Sequence, residues 1–370
     1  MIVLDILFYT FIIAVCIQLV YYGIIFLNFA FSKSKKNAKK KISISILICA
    51  KNEAENLEQF LPYILEQKYP DFEVILINDV SNDNTLEVMK SFMAKHDNIK
   101  IVDVKPIEAF WGSKKYALTL GIKAASHNFL LFTDADCKPL SKYWIKEMSS
   151  CFTKSKTLVL GYGAYKKQRY SLINTVIRFE TLMTAIQYFS YAKIGIPYMG
   201  VGRNLAYRKE TFFNASGFMN HMNIRSGDDD LFVNQVANSK NTAICFTKNS
   251  VTESLPETSF KSWFNQKKRH VSTAKHYKLK HKFLLTLFFL SQFMFWCLSI
   301  ILISFLFHWK IVISLFILRI LIQYVSVGFS AKKLDELDNI FILPFLDLFL
   351  VFSQLVIFIS NLVSKPNHWR

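Results

Sequence analysis

Four long apolar segments constrain the fold of this chain more than any other feature of its sequence. The hydrocarbon core of a bilayer is about 30 Å thick, so a helix needs about 20 apolar residues to cross it. The segments are Ile2–Phe31, Phe283–Phe307, Ile311–Phe329 and Ile340–Val363. We therefore expect an integral membrane protein. The first segment has lysines after it and none before it, which is typical of an uncleaved anchor.

The positive charge is concentrated beside these segments. The 370 residues carry a net charge of +18, and two runs without acids hold much of it: Lys33–Lys41 with six lysines and Lys261–Lys282 with eight basic residues. Basic clusters flanking apolar spans are typical of the cytoplasmic side of a membrane, not of a nucleic-acid surface. With Lys332 and Lys333 they predict that residues 32–282 are cytoplasmic, in a plasma membrane such as a bacterial inner membrane.

Composition excludes two other classes of protein. With 52% hydrophobic residues the chain is too apolar to be disordered, and six cysteines without a CxxC pair do not indicate a disulfide framework. The predicted organisation is an anchor at 1–31, a basic juxtamembrane segment at 32–41, a domain at 42–257, a basic interfacial segment at 258–282, membrane helices at 283–363 and a tail at 364–370.

Two periodicities alternate along the domain at 42–257. Strand-length apolar runs are Ile42–Ile48, Val74–Ile77, Ile99–Val104, Phe129–Phe132 and Leu158–Leu160. Helical patterns lie between them at Glu55–Gln67, Asn84–Lys95, Lys114–Ala125 and Lys142–Phe152. This alternation predicts an α/β domain with a mostly parallel sheet and helices on both faces. Ligands of such sheets bind at the carboxyl ends of the strands.

Acidic residues follow three of the predicted strands. The runs are Ala50-Lys51-Asn52-Glu53, Asn78-Asp79-Val80-Ser81-Asn82-Asp83 and Thr133-Asp134-Ala135-Asp136. Alone, each fits a turn or a helix cap, and we expect Asp83 to be a cap. Together they form an acidic rim without the glycine-rich turn of a dinucleotide site. Carboxylates two residues apart can hold Mg²⁺ or Mn²⁺ together with phosphate oxygens.

These runs and several later ones resemble the membrane-bound family 2 glycosyltransferases, which include hyaluronan, chitin and cellulose synthases and ceramide glucosyltransferase. The matching segments are Ser45–Glu53, Asn78-Asp79 with Asp83, Lys114–Leu118, Thr133–Asp136, Gly202–Ala206, Gly227–Leu231 and Gln266–His270. The resemblance implies a GT-A fold, a nucleotide-sugar donor that is a uridine diphosphate sugar, and a divalent cation, Mg²⁺ or Mn²⁺.

The resemblance also implies roles for individual residues at the donor. Ala50, Asn52, Glu53 and Asp79 would hold the nucleobase and ribose, and Lys114, Gln266 and Arg269 would lie near the phosphates. Asp136 would bind the metal directly, with Asp134 beside it near the ribose or sugar. Other interpretations stay open: Asp79 as a turn residue, Lys114 as a solvated helix-start lysine, and Gly227–Asp230 as a plain acidic loop.

For the acceptor side, the resemblance implies that Asp229 is the catalytic base of a single inverting displacement. A sugar hydroxyl is a poor nucleophile, so a carboxylate must accept its proton, and neighbouring acids should raise the pKa of that carboxylate. Gly202, Asn204, Asp228 and His270 would contact the acceptor. His270 stands where the family usually has tryptophan, which leaves the acceptor geometry in doubt.

Three further segments have two interpretations each. Tyr170–Tyr198 fits either a helix at the cytoplasmic membrane face or an ordinary core helix. The run Lys261–Lys282 also fits a membrane-surface helix with Trp263 and Phe264 in the lipid and its lysines on anionic head groups. Within the predicted spans, Arg319 can pair with Asp347 or extend towards the interface.

The sequence therefore predicts a membrane enzyme that transfers a sugar to a lipid, a lipid-linked acceptor or a saccharide. Four spans are few for a polymer channel, which favours a lipid acceptor over a processive polysaccharide synthase. A non-catalytic scaffold or transport subunit is the alternative from another class. Membrane lipids are expected partners and nucleic acid is not, and the sequence does not give the oligomeric state.

Overall fold

A computed structural model describes residues 1–34, 42–105, 113–224 and 226–363, with the side chain of residue 113 excepted. Most of the predicted basic segment at 32–41 and the whole tail at 364–370 lie outside these residues. The described chain forms two compact units. The α/β unit contains Ser34–Arg169 and Gly195–Glu257, and the helical unit contains Met1–Lys33, Tyr170–Ile194 and residues 258–363.

The regular elements follow one another as the two periodicities predict. The strands are β1 Ile44–Ala50, β2 Phe72–Asn78, β3 Ile99–Asp103, β4 Phe129–Asp134, β5 Cys137–Pro139, β6 Leu158–Leu160, β7 Gly163–Tyr165, β8 Leu205–Arg208, β9 Thr242–Ile244 and β10 Thr252–Ser254. The helices are α1 Ile2–Val20, α2 Leu27–Ala30, α3 Ala54–Leu65, α4 Thr85–Met93, α5 Ser113–Ala124, α6 Trp144–Ser150, α7 Leu172–Lys193, α8 Lys209–Asn214, α9 Asp230–Val236, α10 Phe260–Val271, α11 Leu279–Ser304, α12 Trp309–Leu334 and α13 Leu343–Val363.

A seven-stranded sheet forms the centre of the α/β unit, in the order β3-β2-β1-β4-β8-β6-β9. Strands β1 to β4 pair in parallel, β8 runs antiparallel to both β4 and β6, and β6 pairs in parallel with β9. The predicted mostly parallel sheet is thus confirmed. A second sheet has the order β5-β10-β7.

Strand β1 lies between β2 and β4 in the parallel part of the sheet. Six of its seven residues are buried, as expected of a strand covered by helices on both faces. The register pairs Ala50 with Asn78 of β2 and Cys49 with Asp134 of β4. The polar residues that follow β1, β2 and β4 therefore start from one edge of the sheet.

Close packing of α5 on the sheet requires a glycine. A Cβ atom at Gly121 would lie 2.2 Å from Cδ1 of Ile77 in β2, which is far inside van der Waals contact. The same helix begins next to Lys114, one of the predicted donor residues. Gly121 therefore lets α5 approach β2 closely enough to fix the position of its first turn.

The helical unit contains the four predicted spans. Within the described residues, four helical stretches are long and apolar enough to cross a membrane: Ile2–Ala30, Leu279–Ser304, Trp309–Leu334 and Leu343–Val363. The first is continuous but changes pitch, because a π-helix at Tyr21–Phe26 joins α1 to α2. This arrangement confirms one N-terminal and three C-terminal candidate spans.

A buried polar network joins all four spans. Arg319 of α12 and Asp347 of α13 are fully buried and lie 3.2 Å apart, so pairing is the correct alternative for these two residues. Asp347 also accepts hydrogen bonds from Gln292 and Trp296 of α11 and from Gln323 of α12. The first span also takes part: Gln18 of α1 accepts from Arg319, and Tyr22 of the π-helix accepts from Gln323. Each of the four candidate spans therefore contributes a side chain to the network around this buried ion pair.

Helix α7 belongs to the helical unit although it lies within the predicted domain at 42–257, which it interrupts. Arg178 is buried and forms ion pairs with Glu336 at 2.9 Å and Asp338 at 2.6 Å, both in the segment between α12 and α13. Since arginine presents a planar fork of donors, two carboxylates can be held at once. These pairs fix α7 to the helical unit.

Helix α10 carries the basic segment, and its tryptophan is not in lipid. Trp263 is buried and stacks on Phe349 of α13, with ring centroids 6.4 Å apart. Lys267 of the same helix pairs with Glu180 of α7. The interpretation that embeds Trp263 in the membrane is therefore wrong, because the indole ring fills a space between α10 and α13.

Asp347→Asn should destabilise the helical unit. Removing this charge leaves the guanidinium of Arg319 buried without its carboxylate, which costs on the order of 3 kcal/mol. Thermal unfolding of the purified protein in detergent measures the effect. Ser314→Ala, at an exposed position of α12, is the control, and the double variant Arg319→Leu/Asp347→Leu should lose less than Asp347→Asn. Equal melting of Asp347→Asn and the control would contradict the role of the network.

Candidate active site

The loops after β1 and β2 are hydrogen-bonded to each other. The N–H of Asn52 donates to Oγ of Ser81 at 3.0 Å, and the N–H of Asn82 donates to Oδ1 of Asn52 at 2.8 Å. The N–H of Asp79 donates to the carbonyl of Ala50 at 2.9 Å. The predicted donor residues Ala50, Asn52 and Asp79 thus lie in one connected loop pair.

Asp83 connects the first turns of two helices. Its Oδ1 accepts the N–H of Thr85 at 3.0 Å and its Oδ2 accepts the N–H of Ala54 at 3.3 Å, in α4 and α3 respectively. Burial raises the pKa of Asp83, but these bonds from Thr85 and Ala54 outweigh it and lower the pKa below its ordinary value. The expectation of a capping residue agrees with this geometry.

The backbone beside Asp79 is strained. Val80 has φ of 54°, in the left-handed region that a β-branched side chain rarely adopts. Asp79 itself is 1% exposed at the end of β2. Local strain of this kind is retained where the surroundings hold it, and it concentrates at functional sites. The strain thus supports a functional interpretation of Asp79 over that of a simple turn residue.

Asp134 and Asp136 lie where the two sheets meet, between β4 and β5. The ligand atoms of Asp134, Asp136 and Cys137 all lie within 4.8 Å of one another. Burial and the charge of Asp134 raise the pKa of Asp136, while Arg203 and Lys114 lower it. Two carboxylates this close repel, so a cation between them would stabilise both. The thiol of Cys137 also belongs to this cluster, since it donates to Oδ1 of Asp136 at 3.3 Å.

The pKa of Glu53 is affected by the same acidic cluster. Burial raises the pKa of Glu53, a hydrogen bond from Asn56 lowers it, and the charges of Asp136, Asp134 and Asp83 raise it again. The loop after β1 and the end of β4 therefore share one electrostatic environment.

Lys114 bridges two acidic segments that are distant in sequence. Its Nζ lies 3.0 Å from Oδ1 of Asp134 and 3.3 Å from Oδ2 of Asp228, and its side chain is 15% exposed. Burial lowers the pKa of Lys114, but the two carboxylates outweigh burial and raise it well above the ordinary value. The interpretation of a solvated helix-start lysine does not fit this geometry.

Asp229 is held by two backbone donors. Its Oδ2 accepts the N–H of Gly202 at 2.6 Å, and its Oδ1 accepts the N–H of Asp230 at 2.7 Å, at the start of α9. The preceding Gly227 has φ of +90°, and a Cβ there would lie 2.5 Å from Leu231, so the turn requires glycine. A Cβ at Gly202 would lie 3.3 Å from Oδ2 of Asp229, a tight contact, so glycine eases the approach of the carboxylate to this backbone N–H.

The pKa of Asp229 is raised to about 7. Burial is the largest cause, and the charges of Asp228 and Asp230 add to it, whereas Lys114 and the Gly202 N–H oppose it. A carboxylate with this pKa can accept a proton near neutral pH and is a stronger base than an ordinary aspartate. The sequence prediction that neighbouring acids raise the pKa agrees with this result.

These groups line one pocket. Its volume is about 340 Å³ including its open mouth. The polar lining comes from four regions of the chain, and the residues that contribute it are Lys114, Thr133, Asp134, Gly202, Tyr207, Asp228 and Asp229. Asp79 lies close enough to affect the buried thiol of Cys49, which also lines the pocket. Of the predicted acids, Asp134, Asp228 and Asp229 line this pocket, and Asp79 and Asp136 are not among its lining residues.

Asn204, predicted to contact the acceptor, is instead part of the core. Its side chain is fully buried, where Nδ2 donates to the carbonyls of Tyr162 and Ser250 and Oδ1 accepts from the indole of Trp144. Three hydrogen bonds occupy the amide group. The prediction for this side chain is corrected to a structural role, because its polar atoms cross-link the chain segments that support the site.

Arg203 is a residue that the sequence reasoning missed. Its guanidinium lies 4.1 Å from the ring centre of Tyr165 and donates to the carbonyls of Gly163 and Ala164 in the smaller sheet. Its charge lowers the pKa of Asp136. The sequence signal that could have identified Arg203 is its position between two predicted residues, Gly202 and Asn204.

The remaining predicted residues lie in the helical unit. Gln266, Arg269 and His270 are on α10, where Gln266 and Arg269 are partly buried and His270 is exposed. The α/β unit therefore provides every predicted site residue except these three.

Part of the sequence that forms this site matches a known protein family. Residues 45–218 match the model of glycosyl transferase family 2. The chain carries a family 2 glycosyltransferase domain. The matched segment includes β1, the acidic loops after it, the Asp134–Asp136 pair and Gly202, while Asp229 follows it.

Two curated relatives share parts of this domain. Poly-beta-1,6-N-acetyl-D-glucosamine synthase of Staphylococcus epidermidis is 40% identical over 93 residues, which are 25% of this chain and 21% of that protein. Glycosyltransferase AglE of Haloferax volcanii is 31% identical over 120 residues, which are 32% of this chain and 38% of that protein. The chain thus matches between a fifth and two fifths of the length of these relatives.

Among solved structures, mannosyltransferase PcManGT from Pyrobaculum calidifontis, in complex with GDP-Man and Mn²⁺, has a similar fold. The TM-score is 0.56 with 15% identity, over 88% of this chain and 98% of that one. At this identity the likeness shows the fold, which confirms the predicted GT-A class.

Asn204→Ala should destabilise the fold more than it affects substrate binding. The change removes the hydrogen bonds of Asn204 to the Trp144 indole and the Ser250 carbonyl, and one of two to the Tyr162 carbonyl. Each buried group left unsatisfied costs about 1 to 3 kcal/mol. We expect a melting temperature lowered by several degrees, measured by thermal unfolding. Asn214→Ala, at an exposed position, is the matched control. An unchanged melting temperature combined with weaker acceptor binding would restore the original prediction.

Proposed function

We propose that this protein is a membrane-bound inverting glycosyltransferase that moves a sugar from a nucleoside diphosphate sugar to an acceptor hydroxyl. One observation carries the proposal: Asp229, with a pKa of about 7, shares a pocket with Asp134, Lys114 and Asp228. A base suited to neutral pH therefore lies beside groups suited to a diphosphate. The family 2 domain at 45–218 supports the same reaction class.

The donor would bind along the edge formed by β1, β2 and β4. Asn52, Glu53 and Asp79 would contact the nucleobase and ribose, in the loop pair that their hydrogen bonds hold together. Uridine is the base proposed. When the donor enters, a phosphate oxygen would replace one of the two carboxylates as a partner of Lys114. The exchange is possible because phosphate and carboxylate oxygens are both negatively charged.

Asp134 and Asp136 would hold a divalent cation, Mg²⁺ or Mn²⁺. The donor set fits, since two carboxylates lie together at a strand end and hard cations prefer oxygen ligands. When bound, such an ion supplies positive charge that stabilises the departing diphosphate. The chain's own part is to orient these two carboxylates: Asp134 pairs with Lys114, and Asp136 accepts a hydrogen bond from the thiol of Cys137.

Asp229 would accept the proton of the attacking hydroxyl while the new bond to the anomeric carbon forms and the bond to the diphosphate breaks. Both of its oxygens are oriented by backbone N–H groups, so the base does not rotate away. Asp228 and Gly202 would contact the acceptor. A single displacement inverts the anomeric carbon and needs no sugar-enzyme intermediate.

Gln266 and Arg269 would complete the phosphate site, as in the family that they resemble, and His270 would face the acceptor. The arginine suits a leaving diphosphate because its fork can bind two phosphate oxygens. These three assignments rest on the Q-x-x-R-H motif.

The acceptor has two candidates. A lipid or lipid-linked acceptor is proposed first, because four candidate spans are few for a polymer channel. The relationship to a poly-N-acetylglucosamine synthase, 40% identical over 93 residues, favours a processive polysaccharide synthase as the second. Product length separates the two, since one predicts a single added sugar and the other a polymer.

Purified protein with Mn²⁺ and a panel of uridine and guanosine diphosphate sugars should release nucleoside diphosphate. Asp229→Asn removes the base and should lower this release by about a hundredfold or more, without changing the size-exclusion profile. Asp97→Asn, at an exposed aspartate, is the control and should retain full release. Absence of release with every donor and acceptor fraction would favour the non-catalytic alternative.

The rate should depend on the ionisation of Asp229. Its pKa of about 7 predicts that kcat/KM rises with pH until about 7, whereas an ordinary aspartate would be fully ionised by about pH 5. Asp230→Asn removes one of the charges that raise this pKa, and Asp228, Lys114 and the Gly202 N–H remain. The acid limb of the profile should therefore move to lower pH. Superimposable profiles for Asp230→Asn and the unchanged protein would exclude Asp229 as the titrating base.

A further inference from the structure

The helical unit contains a groove that the proposed reaction does not use. It lies where the π-helix Tyr21–Phe26 and α2 follow α1, beside the last residue of α7. Its volume is about 800 Å³ including space open to the surroundings. The groove is at the end of the first candidate span that the basic residues place at the cytoplasmic surface.

One wall of the groove is apolar and exposed. Ile24 is 60% exposed and Phe31 is 57% exposed, and Leu27 lies between them along the same helix face. Such side chains at the end of a membrane span are suited to contact with hydrocarbon, because contact between apolar surface and water is unfavourable. The wall therefore fits an alkyl chain.

The other end of the groove is polar and positively charged. It is formed by Asn28, Ser32 and Lys193, and Lys193 is exposed at the C-terminus of α7. Nζ of Lys333 donates to the carbonyl of Phe29 at 2.9 Å and also to that of Ser32. The ammonium groups of Lys193 and Lys333 lie close enough to repel each other.

The described residues that line the groove include no acid. The positive charges of Lys193 and Lys333 favour an anion. The ammonium protons of Lys333 and the hydroxyl of Ser32 already bond to Phe29 and Ser32, so the donors for a phosphate are the ammonium of Lys193 and the amide of Asn28. An apolar wall that ends in a phosphate-binding corner has the chemistry of one end of an amphiphile.

We propose that this groove binds one anionic phospholipid of the surrounding membrane. Its acyl chain lies against Ile24, Leu27 and Phe31, and its phosphate lies at Lys193 and Asn28. A phospholipid is the occupant chosen because the groove opens at the level where charged lipid head groups lie. The site is independent of sugar transfer, so either proposal can fail without the other.

The test uses the full-length protein in a neutral detergent, with added phosphatidylglycerol or phosphatidylcholine of the same acyl chains. Native mass spectrometry should detect one retained phosphatidylglycerol and far less phosphatidylcholine. Lys193→Gln removes one positive charge near the phosphate and should lower retention about fivefold.

Lys280→Gln is the matched control, because this lysine is equally exposed and lies outside the groove. Thermal unfolding and the size-exclusion profile of the same preparations show that Lys193→Gln is folded. Equal retention of the two phospholipids, or equal loss in Lys193→Gln and Lys280→Gln, would overturn the proposal. Displacement of phosphatidylglycerol by an isoprenyl phosphate at equal concentration would also overturn it, because it identifies a different occupant.

Discussion

A single ammonium group holds the acidic site together. Lys114 lies between Asp134, at the end of β4, and Asp228, in the turn before α9. Without this cation, carboxylates from two distant segments would face each other in a pocket with little water, and their repulsion would push the segments apart. The position of Lys114 depends in turn on Gly121, which allows α5 to lie against β2. The electrostatics of the site and the packing of the sheet are therefore parts of one structure.

Much of the fold follows from local sequence patterns. Apolar runs of strand length predicted the first four strands within about two residues at each end, because a strand buried on both faces must be apolar throughout. The four spans were equally clear, since bilayer thickness sets their length. The acids after β1, β2 and β4 converge because parallel strands end at one edge, which the alternation of strands and helices already indicated.

Other features depend on contacts between distant segments and could not be predicted. Asn204 sits in a motif that resembles an acceptor loop, yet its amide is occupied by Trp144, Tyr162 and Ser250, which come from three other parts of the chain. Trp263 lies in a segment whose basic and aromatic composition is typical of a membrane-surface helix, but its ring stacks on Phe349. Likewise, the pitch change at Tyr21–Phe26 has no local signal beyond a glycine.

The raised pKa of Asp229 affects folding as well as chemistry. In the unfolded chain this carboxyl would ionise near its ordinary value of about 4, whereas in the folded protein it ionises near 7. Between these two values the folded state binds more protons than the unfolded state, so its free energy of unfolding falls as the pH rises through this interval. Above it the whole penalty is present. The protein therefore keeps its reactive group at the expense of some resistance to denaturation in mildly alkaline surroundings.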